Sequence, residues 1–78
     1  MAKLLIEPLS DNPDALAATE NTLSMLPGGG RFVRDDDGEL VRKDGLLVLE
    51  CSNPGFVTFA AIRQGYVRRV CGHPTAKP

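Results

Sequence analysis

Asn53-Pro54-Gly55-Phe56-Val57-Thr58-Phe59-Ala60-Ala61-Ile62-Arg63-Gln64-Gly65 is the stretch whose conformation decides the fold. Two readings compete. In the first, Asn53 is a helix N-cap, because its short polar side chain can accept a hydrogen bond from the first turn. Pro54 then takes the first helical position, where a missing N–H loses nothing, and Gly65 is the C-terminal stop. On the wheel of that helix Phe56, Phe59, Ala60 and Arg63 cluster, with Val57 and Ile62 at the margins. In the second reading Asn53-Pro54-Gly55 is a hairpin turn and residues 56–62 form a strand, which their β-branched and aromatic content permits.

The upstream sequence favours the helix, because the chain says nearly the same thing twice. Leu4-Leu5-Ile6-Glu7 precedes Asn12-Pro13, and Leu47-Val48-Leu49-Glu50 precedes Asn53-Pro54. Each Asn-Pro opens a segment that can be helical and then a glycine. Phe32-Val33-Arg34 follows in one copy and Tyr66-Val67-Arg68 in the other. Two β-α-β units in tandem are what this pattern predicts.

Residues 3–7 read as a strand with Leu4 and Ile6 on one face and Leu5 on the other. In the first helix Asp14 suits the dipole of the opening turn, and Leu16, Thr19, Leu23 and Leu26 share one stripe flanked by Ala15, Ala18 and Met25. Pro27-Gly28-Gly29-Gly30 stops it. Turn signals at Asp37-Gly38 and Asp44-Gly45 leave residues 32–34, 39–42 and 46–51 as strand pieces. Residues 35–38 either make a second full hairpin or bulge out of one long strand. An added reversal would flip everything downstream.

Leu47, Leu49 and Cys51 share one parity and are assigned to the core, and residues 66–71 form the last strand. The expected fold is α+β: a ferredoxin-like βαββαβ two-layer sandwich over residues 1–72, with two helices on one face of an antiparallel sheet. Residues 73–78 read as a flexible C-terminal tail. The alternative, tied to the strand reading of 56–62, is one helix packed on an antiparallel β-meander. In the sandwich, Leu5, Glu7, Val48 and Glu50 line the uncovered sheet face.

With 78 residues, no Trp and only Phe32, Phe56, Phe59 and Tyr66 as aromatics, the chain has room for one small, mainly aliphatic core. Self-association is a natural way for such a domain to gain stability. The apolar run at the N-terminus is too short for a signal peptide and no stretch reaches spanning length, so cytoplasm is the expected compartment and no membrane partner is expected. Charge is unevenly placed: from Cys51 onward there is no acid, while Arg63, Arg68, Arg69 and Lys77 are present.

No catalytic constellation is legible, and no cofactor or metal is expected. Cys51 lies just ahead of the second helix, where a helix N-terminus can activate a thiol, yet its parity points it into the core. Cys51, Cys71 and His73 form the one conceivable metal set, but lack a fourth ligand. Cys51 and Cys71 are expected roughly 10 Å apart, two strand spacings, too far for a disulfide. Asp35-Asp36-Asp37-Gly38-Glu39 is similar to the centre of a calcium loop, but the full pattern would begin at Val33, which has no ligating side chain.

The expected function is therefore a non-enzymatic interaction or regulatory module. It would bind a protein partner, or its own copy, through an edge strand or the open sheet face, with Arg34, Tyr66, Arg68 and Arg69 as contact residues. The alternatives are nucleic-acid binding through Arg31, Arg34, Arg68 and Arg69, and thiol chemistry at Cys51.

Overall fold

A computed structural model describes residues 2–71. Its elements are β1 (Ala2–Pro8), α1 (Pro13–Ser24), β2 (Arg31–Phe32), β3 (Arg42–Lys43), β4 (Leu46–Cys51), α2 (Pro54–Gln64) and β5 (Val67–Cys71). Residues 53–65 take the helical reading. The Asn53 side chain accepts a hydrogen bond from the Phe56 N–H at 3.2 Å, Pro54 opens the helix, and Gly65 closes it at φ 74°. That left-handed conformation strains any residue with a Cβ, which is why glycine ends the helix. The Asn12 side chain caps α1 in the same way, on the Asp14 N–H at 2.9 Å.

The strands lie side by side in the order β2-β4-β1-β5, with β3 also paired to β4, and every pairing is antiparallel. Each half of the chain is thus a split β-α-β unit: β4 separates β1 from β2, and β1 separates β4 from β5. Leu4 opposes Leu49 and Ile6 opposes Leu47, so one parity of the two central strands forms an unbroken apolar surface. Leu16 and Leu23 of α1 and Val57 and Ala61 of α2 join those residues, with Phe32, Cys51 and Val67, in one core. Both helices therefore cover the same sheet face. The α+β two-layer arrangement is the one the sequence predicts.

The edge beyond β4 settles the reading of residues 35–38. Both β2 and β3 run antiparallel to β4, so they are two pieces of one edge strand with no net reversal between them. Residues between them leave the sheet as a small loop closed at its root. The Val41 N–H donates to the Val33 carbonyl at 2.9 Å, Arg34 bridges to Leu40, and the Asp35 N–H donates to the Glu39 carbonyl. The Asp35 carboxylate accepts from the N–H groups of Asp37 and Glu39, which folds the tip. The Asp44-Gly45 hairpin then returns the chain, with positive φ at both residues as a two-residue turn requires.

The orientation of α2 corrects the wheel. Val57, Ala60 and Ala61 face the sheet, while Phe56, Phe59 and Ile62 are 40%, 59% and 47% exposed. The cause is volume. Strands β1 and β4 already supply Leu4, Ile6, Leu47 and Leu49, all fully buried, and α2 packs closely over β1 and β5 with its small side chains. Because the helix is apolar around most of its circumference, periodicity alone did not fix which stripe goes inward. On α1 the expected stripe holds for Leu16 and Leu23, but Met25 points to solvent.

Candidate interaction surfaces

The sheet face away from the helices is organised by register. Leu5 opposes both Val48 and Cys71, forming an apolar row that Val33 and Val41 extend from the broken edge strand. On one side of this row Glu50 stands between Lys3 and Arg31. On the other side are the Glu7–Arg69 and Leu46–Lys43 pairs. Val48 and Leu46 are buried although both helices lie on the other face of the sheet. The rest of the row, Leu5, Val33, Val41 and Cys71, is half-buried, so the row is only partly open to solvent.

At the outer edge, β5 carries one extra residue where it passes Glu7 and Pro8. Such a bulge sets two residues of one strand against one of its neighbour, so Arg68 and Arg69 both reach the Glu7 carboxylate, at 3.8 and 3.1 Å. Among the described residues nothing pairs with the outer side of β5. The opposite edge is blunted by the extruded loop with Asp35, Asp36, Asp37 and Glu39, a common device against edge-to-edge pairing.

The arginines named from sequence are not brought together. Arg34 turns to the helix side, where it forms a two-bond ion pair with Glu20 of α1. Arg68, which like Arg34 follows an aromatic residue and a valine, goes to Glu7 instead. The first strands of the two halves do correspond, with Leu4 and Leu47 in the core and Glu7 and Glu50 on the open side. The return strands are out of step: Phe32 is buried where Tyr66 is half-buried, and Val67 is buried where Val33 is half-buried. Arg31 is exposed beside Glu50 and Arg42 pairs with Asp11 at 3.1 Å.

Cys51 is fully buried, and burial pushes its thiol pKa up, the opposite of activation. Cys51 opposes Ala2 and Cys71 opposes Leu5, so the two sulfurs project from opposite faces of the sheet and both are free. His73 and the tail 73–78 lie outside the described residues. Among the described residues no three His, Cys, Asp or Glu side chains converge as metal ligands. No helix there is long and apolar enough to cross a membrane.

Two features were missed in the sequence. A cleft of about 380 Å³ lies between α1 and the extruded loop, lined by Leu16, Glu20, Phe32, Arg34, Leu40 and Arg42 among others. Of its charged groups, Arg34 is paired with Glu20 and Arg42 with Asp11, while the Glu39 carboxylate at the rim has no ion pair among the described residues. The other feature is the outer face of α2, where Phe56, Phe59 and Ile62 follow one another at three-residue spacing and the Arg63 guanidinium sits 5.7 Å from the centre of the Phe59 ring. The spacing was legible; its outward direction was not. Fold and surface together define a small two-layer α+β domain with an apolar stripe outside its core. No protein-family model, curated protein or solved structure matches the chain.

Proposed function

We propose that this protein is a non-enzymatic interaction module whose main contact surface is the outer face of α2. The observation that carries the reading is the exposure of Phe56, Phe59 and Ile62 in a single stripe. Scattered surface apolar residues need no explanation, but a contiguous stripe on one helix marks a surface made to be covered. Phenylalanines and an arginine are also residue types that anchor interfaces. The free edge of β5, with Arg68 and Arg69 beside Glu7, offers a second place for an extended segment to add to the sheet.

A photo-crosslinking residue at position 59 tests this directly. It should give a discrete adduct in extracts of cells that make the protein, while the same residue at the outward α1 position Asn21 should not. Equal adducts at both positions, or none at position 59, would end the reading.

One observation favours a second reading, contact with a polyanion. Lys3, Arg31, Lys43, Arg68 and Arg69 border the open sheet face, against Glu7 and Glu50. This predicts oligonucleotide binding that weakens steeply with salt and fails in Arg68→Glu/Arg69→Glu. No binding at low salt removes it.

A further inference from the structure

We infer that the open sheet face docks an acidic amphipathic helix of a partner protein, laid across the strands along the row of Leu5 and Val48. This face is opposite the α2 stripe, so the two contacts stand or fall separately. Register sorts it into three parallel rows. The middle row is apolar: Val33, Val48, Leu5 and Cys71. Arg31, Glu50 and Lys3 form one flank, and Lys43, Leu46, Glu7 and Arg69 the other. In both flanks the cations stand exposed at the ends, with a half-buried carboxylate between them. With Arg68, five cations meet two acids here, on a chain whose net charge is -1. A ligand therefore meets an apolar strip between two cationic borders.

Geometry selects a helix. Successive residues on one strand face are about 6.7 Å apart, so the two flanks lie about 13 Å from each other. A helix with its side chains is about 10–12 Å across, so one resting on the strip brings residues on both its sides to the cations. The strip crosses four strands, about 14 Å, the length of roughly nine or ten helical residues. A helix also satisfies its own backbone, whereas an extended segment over Leu5 and Val48 would find no hydrogen-bond partner there.

Charge selects the flanks of that helix. Lys3 and Lys43 have no ion pair among the described residues, and each border carries one of them. Acids on both sides of the partner's apolar stripe complement both borders. A second copy of this chain has no such helix to offer: α2 contains no acid, and the apolar stripe of α1 already lies in the core. Nucleic acid suits the borders but not the strip. Its phosphates would face Leu5 and Val48, and among the described residues this face holds no aromatic side chain for a base to stack on. Because the strip is only partly open, the contact is weak, with Kd on the order of 100 μM, and the borders supply most of its selectivity.

Nitrogen-15 NMR titration of the full chain tests this with two synthetic peptides of about 14 residues. They share a leucine stripe at helical spacing, flanked by glutamates in one and by lysines in the other. The glutamate peptide should shift the amides of Leu5, Val33 and Val48, and the lysine peptide should bind at least about tenfold more weakly. Lys3→Glu and Lys43→Glu, on opposite borders, should each weaken the glutamate peptide by about threefold or more, the scale of one rim charge. Arg63→Glu on α2 should leave its affinity unchanged. Both lysines are exposed, so their variants keep the fold, which circular dichroism verifies. Equal affinity for the two peptides, shifts confined to α2, or no binding at about 1 mM would overturn the inference. So would a single-stranded oligonucleotide or phosphatidylserine vesicles that bind the same amides more tightly than the glutamate peptide, handing the face to a polyanion or to a membrane surface. A failed titration beside an intact position-59 adduct sinks the open-face contact alone.

Discussion

Glu20 and Arg34, on α1 and at the root of the extruded loop, are joined by two parallel hydrogen bonds of 2.8 and 2.9 Å. The same carboxylate accepts the Phe32 N–H at 2.9 Å. One side chain thus ties the helix layer to the edge strand at the point where that strand breaks. Its worth exceeds that of an ordinary surface pair because the geometry is bidentate and a backbone donor depends on it.

Replacing Glu20 separates those roles. Glu20→Ala leaves the Phe32 N–H and the Arg34 guanidinium without their partner and should destabilise by about 1–3 kcal/mol in urea unfolding. Glu20→Gln keeps an acceptor for the backbone and should lose about half as much. Identical, negligible effects would show that the loop root is held by other contacts.

The pair also carries a pH signature. The hydrogen bond from Arg34 holds the Glu20 carboxyl below its ordinary value of 4.5, aided by the Phe32 N–H and opposed by partial burial. A lowered folded value means that the unfolded chain binds the proton more readily. The contribution is therefore complete above about pH 5 and is lost as pH falls through the lowered value. Stability measured between pH 6 and pH 3 should decline less in Glu20→Gln than in the parent protein. Parallel curves would contradict the assignment.

Gly30 tests the seat of the edge strand. A methyl group there would overlap the Glu50 carbonyl of β4, which is backbone and has little freedom to yield. Gly30→Ala should therefore cost more than about 3 kcal/mol or prevent folding. Gly38→Ala, at the loop tip with φ 82° and open space around it, should cost only about 1 kcal/mol of backbone strain. Thermal unfolding of the two variants gives the ranking, and a reversed order would mean that β2 is not seated against β4.

The two thiols should behave differently toward an alkylating reagent. Cys51 is in the core with its thiolate disfavoured, so it should react only as fast as the domain opens. Cys71 is half-buried at the open face and should react first. Mass spectrometry of partly labelled protein, with site assignment, checks the order. Rapid native-state labelling of Cys51 would restore the thiol-chemistry alternative.

Much of the fold could be read along the chain because the deciding signals are local. Asn12-Pro13 and Asn53-Pro54 state where two helices begin, Gly65 where one ends, and Asp44-Gly45 where a hairpin turns. The two-residue period of a strand fixed which side chains of residues 3–7 and 46–51 share a face, analogy between the two segments chose the inward one, and the register of β1 against β4 agrees. The candidate surface was harder. Arg34 and Arg68 look equivalent in sequence, yet one is held by Glu20 and the other by Glu7. A partner fourteen residues or more away leaves no mark in the local pattern.

By itself, then, the sequence determined β1, α1, the Asp44-Gly45 turn and the parity of the long strands, and favoured a helix over a strand at residues 54–64, since capping, turn chemistry and the two-residue strand period act over a few residues. Only the tertiary structure decided that residues 34–40 loop out of one edge strand and that α2 turns Val57, Ala60 and Ala61 inward. Both outcomes depend on the space left between layers: a sheet already filled with leucine and isoleucine accepts small helix residues beneath it. Phe56, Phe59 and Ile62 are what that packing leaves outside.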